Sequence, residues 1–265
     1  MESESQLLPP WGDDPLSKFL SEADHNERAC AVNWPDAYAV LQRAHRLLAR
    51  VDEILEKDPA DAHLLAPRLL IFRSHSAILA ATRLAMSGQA FEAQPVLRAA
   101  VEQVWYALHI AKDPAPPTRA QTWWDRDNSP QAGKVCREEF TAGNVRRTHE
   151  GQDAKTAAAM RHLYEGTITF GAHPNERGIA SSLSIDRSKR GAVTVGVGFL
   201  HPGTTTMVAA LKEAVDVAVG VAKTVGLIYP ERFRIAGVDE EIGRLVRYSG
   251  GDLFSKYVQP QRRAS

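Results

Sequence analysis

The segment VLRAAVEQVWYALHIAKDP, residues 96–114, has the pattern of an apolar helix that carries an Arg and a Glu one turn apart. At about 100° per residue, Arg98, Glu102 and His109 fall on one narrow stripe of that helix. Trp105 lies within the same stripe. An Arg can hold an anionic group, and a Glu can orient an imidazole for acid–base chemistry. The types and spacing therefore make this stripe the first candidate for a functional site.

The surroundings of this pair decide its meaning, and the helical wheel leaves them open. On a solvent face, Arg98 and Glu102 form an ordinary i,i+4 pair worth only a few tenths of a kcal/mol. Inside the bundle, the same pair needs further hydrogen-bond partners, because unpaired interior charge is costly. Trp105 in the stripe, and the order of Arg before Glu, favour the interior slightly.

Two further patterns carry chemistry-bearing residues. Trp123 and Trp124 lie in a Pro-rich connector, where such a pair is typical of a lid folded on the core or of a wall of a ligand cleft. Glu22 and His25 form one Glu-x-x-His, whereas a di-iron bundle needs two. Zinc-protease, phosphate-loop, nucleophile-elbow and dinucleotide motifs are absent from the sequence. The sequence therefore predicts no metal site and no cofactor.

Composition narrows the class of protein. The chain has 265 residues, of which 44% are hydrophobic and 24% charged, as in ordinary globular domains. Lys plus Arg and Asp plus Glu are both 32, so the formal net charge is zero. Proteins that bind long nucleic acids usually show a basic surplus, which makes this class of partner less expected here. Cys30 and Cys136 are far apart and are predicted to be reduced, buried thiols.

The chain shows no pattern of a secretory signal or a membrane span. Its first residues are acidic and interrupted by Pro, unlike the basic start of a signal peptide. The most apolar long segment, residues 207–229, contains Lys212, Glu213, Asp216 and Lys223, which indicates an amphipathic helix. We therefore expect a cytoplasmic protein without a membrane segment.

The fold class predicted from periodicity is mainly α, a bundle of six or seven helices with one small β-hairpin. Residues 1–34 are expected to form a loosely ordered arm, and residues 35–265 a single helical domain. Apolar residues recurring at spacings of three and four predict a helix that begins at Pro35 and a second that runs from about Asp61 to Gly88. The same spacing predicts further helices over 89–111, 131–145, 153–170 and 204–228. At about 182–199 the pattern changes to alternation, since Val193, Val195, Val197 and Phe199 point one way, which is typical of a hairpin.

Two blocks of residues resemble a known family. The first has, in order, Gly88, Glu92-Ala93, Leu97-Arg98, Glu102 and Asp113-Pro114. The second has Tyr164, Thr167, Thr169 and His173-Pro174. In these blocks, and over roughly residues 70–230, the chain resembles a family of uncharacterised, mostly bacterial helical proteins that is loosely HEPN-like. The resemblance implies one interior cluster of Arg98, Glu102 and His173, with Tyr164 beside it.

Two functions are compatible with these residues. In the first, the protein is a non-enzymatic interaction or ligand-binding module, in which Tyr164, Trp123 and Trp124 are candidate ligand contacts. In the second, it is a HEPN-like hydrolase, a ribonuclease, in which His173 is the acid or base, oriented by Glu102. Arg98 would then hold an anionic group of the substrate.

Two observations bear on the second function and on partners. The Arg-to-His spacing usual in HEPN ribonucleases is approached only by Arg68 and His75, a match that chance supplies in a chain with 9 His. The long amphipathic helices and the near-zero charge make a homodimer plausible, and apolar surface on the hairpin and the last long helix could supply its interface. Any other partner, a small molecule or a protein, is left open.

Overall fold

The computed structural model describes residues 12–57, 64–172, 183–186 and 194–249, together with residues 254 and 257. Within them the chain is mainly α-helical. Five helices are longer than 18 residues: α1 (Pro15–Asn33), α2 (Pro35–Glu56), α3 (Leu65–Ser87), α4 (Ala90–Ala111) and α9 (Thr205–Ile228). The shorter helices are α5 (Thr118–Trp124), α6 (Pro130–Glu139), α7 (Ala142–Gln152), α8 (Ala154–Thr167), α10 (Pro230–Ala236) and α11 (Val238–Ser249). A 3₁₀ turn, Asp125–Asp127, follows α5, and a π-helical turn, Ile168–Ala172, follows α8.

Helix α4 lies at the centre of the bundle. It packs against α3, α7, α8 and α9 and against the π-helical turn. Its apolar positions Leu97, Val101, Val104 and Leu108 are fully buried, as its sequence pattern predicts. Burial of this kind stabilises the fold by roughly 1.5–3 kcal/mol for each large side chain. Any polar side chain on the remaining stripe of α4 is thereby held on a rigid element.

The N-terminal region differs from the expected loosely ordered arm. Residues 15–33 form helix α1, which packs on α3. The helix begins there because Oδ1 of Asp14 accepts hydrogen bonds from the backbone N–H groups of Leu16 and Ser17, and because Pro15 is favourable at a first helical position. Buried Asn26 then donates to the carbonyl oxygen of Ser87 at 3.2 Å, which ties α1 to the end of α3. Residues 1–11 lie outside the described residues.

The segment between α5 and α8 contains more helices than its apolar pattern predicts, so the expected six or seven helices are too few. Residues 131–145, predicted as one helix, are divided between α6 and α7. The reason is Thr141, whose hydroxyl accepts from the backbone N–H of Asn144 and so starts a new helix. Ser129 and Asp153 cap α6 and α8 in the same way.

Two strands lie in the region where the sequence predicts a hairpin. They are β1 (Leu183–Asp186) and β2 (Thr194–Val197), which pair antiparallel with Leu183 opposite Val197. Residues 187–193, between the strands, lie outside the described residues. After β2 the chain returns to the bundle at the α3–α4 corner, where the backbone N–H of His201 donates to the Gly88 carbonyl at 2.8 Å.

The α3–α4 corner itself requires glycine. Gly88 has φ +94°, a left-handed conformation that ends α3. A Cβ added there would lie 2.9 Å from the backbone nitrogen of His201. Both the turn and the close approach of the returning chain therefore depend on the absence of a side chain.

By length and composition alone, α3 could cross a membrane, and it is the one helix in the described part of the chain that could. Half of its most apolar window, 50%, is buried within the bundle. The central helix of a globular bundle has the same properties, so this finding carries no further conclusion.

Candidate functional site

Arg98, Glu102 and Tyr164 form one hydrogen-bonded cluster. Oε1 of Glu102 accepts from Nε of Arg98 at 2.9 Å and from the hydroxyl of Tyr164 at 3.0 Å. Helix α4 supplies the first two residues and α8 supplies Tyr164, whose ring is buried at 6% exposure. Three of the residues singled out in the sequence are thus brought together by two packed helices.

The cluster is open to water and does not lie in the interior. The side chain of Arg98 is 26% exposed and that of Glu102 is 42% exposed. The expectation of a sealed interior pair is therefore wrong for these two residues. Glu102 lies at the edge of the α4–α8 contact, where the ring of Tyr164 covers one side of it and leaves the other side to solvent.

The local charges fix the protonation states of the cluster. Burial raises the pKa of the Tyr164 hydroxyl, and the negative charge of Glu102 and the hydrogen bond to it raise it further. Burial opposes the charge on Arg98, but the hydrogen bond and the charge of Glu102 prevail and raise the pKa of its guanidinium. Tyr164 therefore remains a hydrogen-bond donor at neutral pH, and Arg98 remains a cation.

A second guanidinium, that of Arg146 on α7, completes the site. Its Cζ lies 4.9 Å from the centroid of the Tyr164 ring and 5.4 Å from that of Trp105, while Cζ of Arg98 lies 5.1 Å from the Tyr164 ring. Arg146 donates no hydrogen bond to any described residue, and its Nε is buried without a partner. Two cations therefore lie against the ring of Tyr164, and Arg98 is the one that is paired with Glu102.

Trp105 and His149 hold α7 against α4. The indole N–H of Trp105 donates to Nδ1 of His149 at 3.0 Å, and the ring of Trp105 lies 5.0 Å from that of Tyr164. His149 is 1% exposed, and its burial lowers the pKa of the imidazole to about 4. His149 and Arg146 are three residues apart on α7, so the neutral His149 anchors the helix that presents Arg146.

Sequence reasoning missed Arg146 and His149 as parts of this site. In the sequence these residues form, with Arg147, a small basic cluster at the end of a predicted helix, where cations complement the helix dipole. The spacing of three between Arg146 and His149 was the available signal, since it places both on one face of α7. It does not show which helix that face contacts.

Glu213 on α9 is a further ionisable residue, beside Gly166 of α8 and Gln94 of α4. Its carboxylate oxygen lies 3.1 Å from the position that a Cβ on Gly166 would take, and it interacts with the buried amide of Gln94. Gln94 lies one turn before Arg98 on α4. Burial raises the pKa of Glu213 to about 7, so this carboxyl changes its charge near neutral pH. In the sequence, Glu213 stands out only as one of the charges on an amphipathic helix.

His109 lies on the predicted stripe but belongs to a different network. Its ring nitrogens contact Oγ1 of Thr148 at 2.7 Å and Oε1 of Glu139 at 3.0 Å. Nε of Arg119 donates to the same Glu139 oxygen at 2.7 Å. His109 is 1% exposed and has partners at both nitrogens, so it links α4 to α6 and α7 and is not available to a ligand.

The remaining sequence candidates are not brought into the cluster. Trp123 is half-buried, and Trp124 is 47% exposed and meets it edge to face with ring centroids 4.8 Å apart. Among the described contacts, neither Trp touches Arg98, Glu102 or Tyr164. His173 lies outside the described residues. Within the part of the chain that is described, no group of three or more His, Cys, Asp or Glu could hold a metal ion.

Comparison with protein-family models, with curated proteins and with solved structures finds no match to this chain. The resemblance to the mostly bacterial, loosely HEPN-like family therefore stays a prediction based on the two sequence blocks.

Proposed function

We propose that this protein is a ligand-binding helical bundle in which Arg146 and Arg98 bind a small organic anion through its carboxylate or phosphate group. The observation that supports this most is the guanidinium of Arg146, whose Nε–H is buried and donates to no described residue. Buried donors in folded proteins are almost always paired, because leaving one unpaired costs about 1–3 kcal/mol. An anionic ligand would supply the missing acceptors.

The aromatic rings prepare Arg146 for this role. A guanidinium held against aromatic faces keeps its planar fork, which matches the two oxygens of a carboxylate or a phosphate. Trp105 and Tyr164 provide those faces, and their own positions are fixed by hydrogen bonds to His149 and Glu102. A ligand therefore meets a cation that loses little conformational freedom on binding.

The proposal is tested by titrating the protein with benzoate and with inorganic phosphate in a calorimeter. Arg146→Gln removes the unpaired cation and should weaken binding of the better probe at least about ten-fold, since a charge-assisted hydrogen bond contributes roughly 1.5–3 kcal/mol. Arg147→Gln is the matched control, because Arg147 is exposed on the same helix and donates to Asn144. Equal effects of the two substitutions, or no binding of either anion by the unchanged protein, would contradict the proposal.

The same titration has a pH arm. Ionisation of Glu213 adds a negative charge beside Gln94, one turn before Arg98, as pH rises through about 7. Affinity for benzoate should therefore fall over that range, and Glu213→Gln should make the affinity independent of pH there. Benzoate itself stays ionised throughout, so the change belongs to the protein.

A hydrolase is the alternative, and the exposure of Glu102 supports it. A carboxylate that is 42% exposed and hydrogen-bonded to Tyr164 and Arg98 can be reached by a substrate. In this alternative His173 acts as the acid or base, Glu102 orients it and Arg98 holds a phosphate of RNA. Cleavage of an RNA oligonucleotide by the unchanged protein, with loss of cleavage in Glu102→Gln, would favour the hydrolase over the binding module.

The proposal retains the cytoplasmic location and the homodimer that the sequence predicts. It treats β1 and β2 as one hairpin that lies on the bundle. Helix α9 buries most of its apolar residues within the bundle, so it offers little surface to a partner. We therefore place the dimer contact at the strand segment, where Phe199 is 74% exposed and Leu183 is 38% exposed.

A further inference from the structure

A second cleft, separate from the Arg98 cluster, lies between α2 and α3. It has a volume of about 570 Å³, within the usual range of small-molecule sites. Most of its wall is apolar, and the polar side chains that line it are Tyr38, Gln42, His45, Arg46, His75 and Thr82. Leu41 and Leu79 form part of the apolar wall, and His45, His75 and Thr82 form a polar group within it. Arg98, Glu102, Tyr164 and Arg146 do not line it.

His75 is held in one orientation by a carboxylate. Its Nδ1 lies 2.6 Å from Oδ2 of Asp52, and a carboxylate can only accept, so Nδ1 carries the proton. Nε2 of the neutral ring is then a lone-pair acceptor. His75 is 9% exposed, and no described residue donates to that Nε2. A ligand that enters the cleft can satisfy it with a hydroxyl or an N–H group.

His45 provides a second polar group next to His75. Its ring lies nearly parallel to that of His75, with centroids 5.8 Å apart, and its Nε2 contacts Oγ1 of Thr82 at 3.0 Å. Burial and the neighbouring His75 lower the pKa of His45 to about 4, so it is neutral at physiological pH. The carboxylate of Asp52 is hydrogen-bonded to His75. Nε2 of His75 accepts and so calls for a donor, which a carboxylate lacks, and this inner part of the cleft favours an uncharged hydroxyl or N–H group.

We propose that this cleft binds an uncharged aromatic alcohol, of the phenol or naphthol class, whose hydroxyl donates a hydrogen bond to Nε2 of His75. A flat ring suits the apolar wall formed by Leu41 and Leu79, and a phenolic hydroxyl is a strong donor to an imidazole. Asp52 fixes the orientation of the ring, because its hydrogen bond to Nδ1 leaves Nε2 as the nitrogen that can accept from a ligand.

The experiment compares 2-naphthol with 2-methoxynaphthalene, which has nearly the same shape but no donor. Isothermal titration of the unchanged protein should show 2-naphthol binding at least about five-fold more tightly. His75→Leu should remove that preference and bring the two affinities within about two-fold of each other. Equal affinities in the unchanged protein, or an unchanged preference in His75→Leu, overturn the proposal.

A second pair of variants locates the binding. Leu79→Trp fills the cleft from an exposed position of α3, since Leu79 is 49% exposed, and should weaken 2-naphthol at least ten-fold. Leu69→Trp is the matched control, because Leu69 is 41% exposed on the same helix and does not line the cleft. Equal effects of the two substitutions place the ligand elsewhere and overturn the proposal. Arg146→Gln should leave 2-naphthol unaffected, which separates this result from the anion site.

Discussion

The hydrogen bond between Trp105 and His149 determines which nitrogen of the imidazole carries its proton. An indole N–H can only donate, so Nδ1 of His149 accepts and Nε2 carries the hydrogen of the neutral ring. Protonating Nδ1 would place two donors against each other in a buried site. The pKa of about 4 for His149 is therefore consistent with both its burial and this contact.

Acid should destabilise the protein through this residue. The unfolded chain binds a proton at His149 below about pH 6.5, whereas the folded protein does so only near pH 4. The unfolded state holds more protons between these values, so the free energy of unfolding falls as pH decreases through that window, by roughly 1–3 kcal/mol for this residue. Above pH 6.5 the full contribution of neutral His149 is present.

Urea unfolding at a series of pH values checks this prediction. His149→Gln, whose amide oxygen can still accept from Trp105, should flatten the curve between pH 6.5 and 4. His162→Gln is the control at an exposed histidine on α8 and should leave the curve unchanged. The prediction is wrong if both variants retain the steepness of the unchanged protein. His45, whose pKa is also lowered to about 4, would then account for the remaining slope.

The candidate site shows which residues a single sequence can identify. Arg98 and Glu102 were found because i,i+4 spacing on one helix is visible in the sequence, and Tyr164 because the resemblance placed it beside them. Arg146 could not be found, because its role depends on α7 packing across α4, which no periodicity reveals. Trp105 was correctly assigned to the stripe, but His109 on the same stripe is bound to Glu139 from a distant helix.

At the scale of helices, glycine sets the distance between α8 and α9. A Cβ added to Gly220 would lie 2.2 Å from Sδ of Met160, which is fully buried. Helix α8 carries Tyr164 one turn after Met160. Gly costs about 1 kcal/mol in helix propensity relative to Ala, so helix formation does not explain Gly220. Close packing against Met160 does explain it.

Gly220→Ala should therefore destabilise the protein despite its better helix propensity. Over-packing costs typically 1–3 kcal/mol, and the gain in propensity offsets part of it, so we expect a net loss of roughly 1–2 kcal/mol in urea unfolding. Gly243→Ala on α11 is the control, because its Cβ would meet only the guanidinium of Arg247 at 3.6 Å. It should leave stability unchanged or increase it.

A double variant separates packing from other causes. In the background of Met160→Ala the thioether is gone, so Gly220→Ala should cost less than it does in the unchanged protein. If Gly220→Ala is neutral alone, or costs the same in both backgrounds, close packing of α8 on α9 is not the reason for the glycine.

Helix boundaries show a similar limit of sequence reasoning. The long helices α2, α3, α4 and α9 were predicted well, because their apolar repeats persist over many turns. Helix α1 was missed, since its apolar positions are sparse and its stability comes from the Asp14 cap and from contacts with α3. Division of residues 131–145 at Thr141 depends on one hydroxyl, which a periodic pattern does not reveal.

At the scale of the whole molecule, the absence of net charge and the exposed apolar side chains bear on association. A chain with zero formal charge has little electrostatic repulsion between its copies at neutral pH. Phe199, two residues after β2, is 74% exposed, more than Trp124 or Phe170. Charge and exposure together favour self-association at the strand segment.

Phe199→Ser should therefore weaken the proposed homodimer. Light scattering across a dilution series should show the unchanged protein shifting from dimer to monomer, and Phe199→Ser should raise the dissociation constant at least about ten-fold, as expected for a large aromatic side chain at the centre of an interface. Ile235→Ser is the matched control, because Ile235 is 75% exposed but lies on α10. A monomer at every concentration, or equal effects of the two substitutions, would contradict a dimer formed through the strand segment, because only Phe199 lies there.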